Sequence, residues 1–235
     1  LMSGRTYVLI HGAWFGGWVW QDVAKRLRAM GHDVYAPSLT GLGDRRHLLR
    51  PDINLDTHTD DIVNLLVEEN LHDVVLVGWS YGGMVASNVL ARSLDRVASI
   101  VYLDAFIPEP GRSMVSYVFP DEEIRNLQAM ADRGMHQAPM DLGFMIDSPA
   151  IISHAQSRIS EQPIASILQP SKALPVRPEI PHSFILANQF QGPVFRPFFE
   201  RFEAENWGDA YAVEANHCMM LTNPDETAEI LASVR

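Results

Sequence analysis

Residues 74–90 read VVLVGWSYGGMVASNVL. Val74 to Val77 are valine and leucine only, which suits a strand buried on both faces. The centre, Gly78-Trp79-Ser80-Tyr81-Gly82, is a G-x-S-x-G sequence that Gly83 extends. Beyond Ser80 the apolar residues Met84, Val85, Val89 and Leu90 fall at helical spacing. A serine at such a strand-to-helix corner sits in a strained turn that projects its hydroxyl, and only small neighbours let the two backbones approach. The helix start also gives the Tyr81 N–H a pull on negative charge. The stretch is read as a nucleophile elbow with Ser80 as the catalytic serine. The strand before it and the helix after it separate this reading from a glycine-rich turn with an idle serine.

Outward from the elbow, strand-like apolar runs alternate with helical patterns, the signature of a mainly parallel, twisted sheet flanked by helices. Strands are expected near 6–10, 33–37, 73–78, 97–104, 182–188 and 210–214. Helices are expected near 18–30, 57–70, 81–93, 195–206 and 224–234. Asp56 or Thr57 is expected to cap the second helix, and Gly31 to stop the first. The alternation breaks between about 108 and 180, a stretch rich in proline and methionine with helical character from Asp121 to Arg133. An insertion of that length after a strand end reads as a helical lid over the site. Its methionines suit varied apolar ligands, and equally suit ordinary packing under a cap. The expected organisation is one domain, with a core of residues 1–108 and 181–235 and a lid of residues 109–180.

Composition narrows the function classes. The 235 residues are 47% hydrophobic and 20% charged, as expected of a well-cored globular chain. A formal charge of −11, with no basic cluster beyond Arg45-Arg46, argues against a nucleic-acid partner. No apolar run approaches the length of a membrane span, so no membrane role is expected. The first strand begins almost at once, with no signal-peptide anatomy before it, and the single Cys218 cannot form an internal disulfide. A reducing compartment, the cytoplasm, is the expectation, with a homodimer left open.

A serine near its free pKa is a weak nucleophile and needs a base within hydrogen-bond reach. Of nine histidines, His217 follows the last strand in YAVEANHCMML, where a parallel sheet presents its carboxyl edge. His217 is the expected general base. His32, His47, His58, His72, His136, His154 and His182 are read as surface or capping residues, and His11 as a structural residue of its loop. The orienting acid is harder to find, because Pro181 to Phe199 contains no Asp or Glu. Asp104 ends the apolar run VASIVYLDAFIP, and a lone carboxylate there needs a partner such as an imidazole N–H. Asp104 is the expected acid, with Glu214 as its main rival and Asp209 more distant. The expected oxyanion donors are the amides of Tyr81 and of Ala13, in the loop IHGAWFGGWVW after the first strand. Gly12 is expected to leave room for substrate, and Trp14, Phe106 and Met219 to contact it. Gly41-Leu42-Gly43 is not a dinucleotide fingerprint, and His58 with Asp60 and Asp61 reads as helix-start charge rather than a metal site. No metal and no cofactor is expected.

With these residues in hand, the chain resembles the α/β-hydrolase-fold superfamily, and within it the group of plant methylesterases, hydroxynitrile lyases and bacterial esterases. The resemblance rests on HGAWFGGWVW, TGLGDRRHL, GWSYGG, VYLDAF and HCMMLTNPDETAEIL, and is weakest in the lid. It implies a serine-nucleophile mechanism with Ser80 and His217 at the motif positions. Plant members of that group carry their acid after the penultimate strand, where Phe190 stands here. Haloalkane dehalogenases and some lactone hydrolases place it after the earlier strand, as Asp104 is placed. Hydroxynitrile lyases need a lysine after the histidine and a threonine in the oxyanion loop, where this chain has Cys218 and Gly12. Hydrolysis of a small lipophilic ester, amide or lactone is therefore the expected activity. A cofactor-free oxygenase, a lyase of the same fold and a ligand-binding receptor with a vestigial triad are the alternatives.

Overall fold

Among the described residues six strands line up as one sheet in the order β2-β1-β3-β4-β5-β6: Thr6–Ile10 (β1), Asp33–Tyr35 (β2), Val74–Ser80 (β3), Val97–Ala105 (β4), His182–Ala187 (β5) and Asp209–Val213 (β6). Every pairing between them is parallel. The protein is described by a computed structural model that covers residues 4–235. From Val74 to Trp79 every residue of β3 is buried, as its apolar run requires of a central strand. The chain leaves β1 for the edge strand β2 and then returns to β1's other side as β3. Sequence order thus reverses between β1 and β3, and a crevice opens there at the carboxyl ends of the strands.

The helices are Gln21–Ala29 (α1), Leu55–Glu68 (α2), Gly82–Ser93 (α3), Asp121–Asp132 (α4), Pro149–Gln156 (α5), Ile164–Leu168 (α6), Arg196–Ala204 (α7), Met219–Thr222 (α8) and Pro224–Ser233 (α9). A 3₁₀ turn, Gly17–Trp20, leads into α1, and Gly31 ends that helix at φ +96°. The start of α2 differs from expectation. Its cap is Asn54, whose side chain accepts the Thr57 N–H, while the Thr57 hydroxyl takes the Asn54 N–H in return. Thr57 is thus the reciprocal partner in a capping box, and Asp56 pairs with Lys172.

Between β4 and β5 the chain adds no strand to the sheet. It forms α4, α5 and α6 joined by irregular segments, with one antiparallel bridge between Gln137 and Gln162. Among the described residues no helix is long and apolar enough to cross a membrane.

Candidate active site

The elbow is built by close approach. A Cβ on Gly78 would lie 2.5 Å from the Gly82 carbonyl oxygen, one on Gly82 2.5 Å from that of Ile10, and one on Gly83 2.1 Å from that of Phe106. Three backbones therefore meet at the start of α3, and glycine alone fits each place. Ser80 sits between them at φ +56°, a left-handed conformation that costs a non-glycine residue roughly 1–3 kcal/mol. The packing of α3 on β1 and β4 holds it there.

Asp104 is re-aimed by a bulge. Trp79 pairs with Leu103 and Ser80 with Ala105, so Asp104 has no partner on β3 and stands at φ +42°. Its side chain is fully buried. One carboxylate oxygen accepts the Ala187 N–H at 3.0 Å, and the other lies 2.5 Å from Nδ1 of His217. Both oxygens are partnered, which is what a buried carboxylate needs. The rivals are engaged elsewhere: Glu214 is exposed and accepts from Asn188, and Asp209 pairs with Arg235.

His217 is fixed from all sides. Its N–H donates to Asn216 Oδ1 at 2.7 Å, and its carbonyl accepts the Trp79 indole N–H at 3.0 Å. Phe190 and Phe195 stack on the imidazole at 4.8 and 4.9 Å between ring centres, and Trp79 tilts against it at 5.0 Å. Asn216 is itself tied to Asp147, and the Cys218 N–H to the Met145 carbonyl, so the histidine loop is anchored on the insertion. Motif spacing signalled none of these supports. Trp79 occupies a variable place of G-x-S-x-G, and Asn216 is an ordinary neighbour in sequence.

Ser80 and His217 share a cavity of about 380 Å³. Its other walls are almost wholly apolar: Trp14 and Phe15 after β1, Phe106 after β4, Met114, Phe144 and Met145 from the insertion, and Phe190, Val194 and Phe195 after β5. Ala13 also reaches it. Neither the Ala13 nor the Tyr81 backbone N–H has an acceptor among the described residues.

Two expected contacts are corrected. Gly12 does not border the cavity, and a Cβ there would meet the Ser80 Cβ at 3.0 Å and the Trp79 ring at 3.1 Å. Its bareness makes room for the elbow, not for substrate. Met219 is fully buried at the start of α8 and stays off the cavity wall. Two histidines are corrected as well. His58 is fully buried: Nε2–H faces the Thr40 carbonyl at 2.9 Å, and Nδ1 accepts the Tyr81 hydroxyl at 2.7 Å. His182 is also buried, at the start of β5. His11 has the structural place expected of it, with Nδ1–H on the Gly12 carbonyl and Nε2 accepting the Leu39 N–H.

Burial pushes the imidazoles of His11, His58 and His182 down to about 4, so all three are neutral near pH 7. Burial, reinforced by the nearby Asp104 carboxylate, pushes the Cys218 thiol well up. It is a packed thiol, not a thiolate nucleophile. No three His, Cys, Asp or Glu side chains converge as a metal site among the described residues.

A model of the alpha/beta hydrolase family matches residues 7–230. The chain belongs to the alpha/beta hydrolase family. This alpha/beta hydrolase is 34% identical to the carbendazim hydrolyzing esterase of Nocardioides sp. (strain SG-4G), over 97% of the chain and 99% of that protein. Salicylic acid-binding protein 2 of Nicotiana tabacum is 24% identical over 100% of the chain and 98% of that protein. Among solved structures, an extracellular alpha/beta-hydrolase from a Paenibacillus species superposes with a TM-score of 0.80 at 25% identity, covering 98% of this chain and 99% of that one.

Proposed function

We propose that this carboxylic ester hydrolase works through an acyl-serine intermediate on a small, lipophilic ester. Ser80 Oγ attacks the ester carbonyl, and Nε2 of His217 takes its proton. The Asp104 carboxylate holds Nδ1–H, which leaves Nε2 free as the base and stabilises the imidazolium that forms. The oxyanion accepts hydrogen bonds from the Ala13 and Tyr81 amides, whose donors are otherwise unclaimed. Collapse breaks the bond to the alkoxy oxygen, which leaves as the alcohol with the proton from His217. Water then attacks the acyl carbonyl and gives a proton to His217. The carboxylic acid departs as Ser80 recovers its hydrogen.

The single observation that carries this reading is the buried Asp104–His217 pair, 2.5 Å apart, opening into the same cavity as a left-handed Ser80. The apolar walls support a lipophilic substrate, and residues 109–180 serve as its lid. Purified Ser80→Ala tests it against a panel of aryl esters. The variant should fold normally and lose about 10⁶-fold in turnover. Retention of more than a few per cent of wild-type hydrolysis overturns the proposal.

A further inference from the structure

The Ala13 N–H lies in the Gly12–Ala13 peptide, whose carbonyl His11 Nδ1–H holds at 2.8 Å, and its direction depends also on how the next peptide, Ala13–Trp14, is held. Trp14, the next residue, stands at φ +69°, a conformation that its surroundings must enforce. The enforcing groups come from a distant part of the chain. The Trp14 N–H donates to Gln162 Oε1 at 2.9 Å, its carbonyl accepts the Ser160 N–H at 3.0 Å, and its indole N–H reaches the Gln137 carbonyl at 3.2 Å. Gln137 and Gln162 bridge each other through two backbone hydrogen bonds of 2.9 Å, so these partners form one small bracket.

Gln162 is fully buried, and both ends of its amide are committed. Its NH₂ donates to Ser166 Oγ at 2.8 Å, and the Ser166 hydroxyl is spent on the Pro163 carbonyl at 2.6 Å. A flipped amide would set NH₂ against the Trp14 N–H and two oxygens against each other. Ser166, on α6, also lies beside the Tyr81 hydroxyl, which His58 Nδ1 holds from the other side. The bracket therefore touches the residues that flank both unclaimed amides, Trp14 beside Ala13 and Tyr81 itself.

We propose that Gln162 is a positioning residue for ester hydrolysis: through the Trp14 N–H it fixes the Ala13–Trp14 peptide, the C-terminal side of Ala13, while His11 holds the Gly12 carbonyl on the other side, and together they keep the Ala13 N–H facing the oxyanion. This rests on the acyl-serine reading above. Gln162 touches no substrate, since it lies off the cavity. Its effect belongs to the transition state, where a donor misplaced by an ångström is felt most.

The test compares wild type with Gln162→Met, Gln162→Asn and Gln162→Glu. Met keeps the volume without the acceptor, Asn withdraws it by one methylene, and Glu, neutral when buried, restores it. The readouts are kcat and KM on an aryl ester and the Ki of an aryl trifluoromethyl ketone, whose serine adduct carries an oxyanion. Met and Asn should each lower kcat roughly 10- to 100-fold with KM within about threefold. The Ki should rise by the same factor as kcat/KM falls, and Glu should recover most of the loss. Unchanged kcat in whichever of Met and Asn folds, a loss confined to KM, or a Ki that fails to follow kcat/KM overturns the proposal. So does a Gln162→Glu variant no better than Met. An active Ser80→Ala would instead overturn the acyl-serine reading, whatever position 162 does.

Discussion

At the scale of the residue, three non-glycine positions at the site share a left-handed backbone: Trp14, Ser80 and Asp104. Each turns a side chain or an amide toward the crevice where a regular strand or loop would carry it past. Ser80 could be read from its glycines, because close backbone approach leaves a mark in composition. Asp104 could be read only by elimination, since a bulge has no sequence signature, and Trp14's strain was invisible. In the proposed mechanism the Asp104 carboxylate sets the His217 tautomer, so Asp104→Asn should lower kcat by roughly 10⁴-fold with the fold retained, because an amide favours the wrong tautomer. Glu214→Gln and Asp209→Asn should stay within about tenfold of wild type. Loss of thermal stability in Asp104→Asn with turnover intact would reduce the residue to a structural role. Gly12→Ala should also cost activity, because the new methyl presses on Ser80 Cβ at 3.0 Å. A Gly12→Ala enzyme with wild-type kcat would contradict that packing.

At the scale of the element, periodicity located β1 and α3 to within a residue, since strand and helix periods are written in local apolar spacing. The cap of α2 lies at Asn54, ahead of the expected Asp56 or Thr57, because the polar cluster from Asn54 to Thr59 offers several capping side chains, Thr57 among them as the reciprocal partner. His58 departs from its expected surface place for a different reason. Its place on α2 looks exposed until α2 packs on α3 and carries the ring to the Tyr81 hydroxyl. That burial has a pH consequence. With folded pKa values of about 4 against 6.5 unfolded, His11 and His58 leave the unfolded chain binding more protons below pH 6.5. Their contribution is complete above pH 6.5 and is lost as the pH falls toward 4. By pH 5 the pair withdraws on the order of a few kcal/mol, enough to lower Tm by roughly 10 °C from its value at pH 7. Thermal melts from pH 8 to 5 check this, and His58→Gln, though less stable at pH 7, should show a shallower fall. A Tm indifferent to pH over that range would contradict the burial argument.

At the scale of the molecule, the sheet order brings the loop after β1 and the elbow after β3 to one crevice, and the bulged end of β4 brings the acid. The parallel fold, and the placement of Ser80 and His217 on one cavity, are legible because chain order and strand count constrain them. The insertion is legible only in part: local spacing shows its first helix, Asp121–Asp132, while its irregular segments depend on long-range pairs such as Gln137 with Gln162, which no local pattern announces. Its apolar walls set the expected preference. Each methylene buried is worth about 0.8 kcal/mol, so kcat/KM should rise roughly fourfold per carbon along a p-nitrophenyl acyl series until the cavity is full. A flat series, or a preference for charged acyl groups, would count against a lipophilic substrate. The central claim, covalent acyl transfer through Ser80, is tested most directly by rapid-quench mass spectrometry of the protein turning over a p-nitrophenyl ester. The account predicts an intact mass raised by the acyl group with loss of one hydrogen, mapped to the Ser80 peptide and absent from Ser80→Ala. Turnover with no adduct at any quench time, or an adduct on another residue, would contradict it.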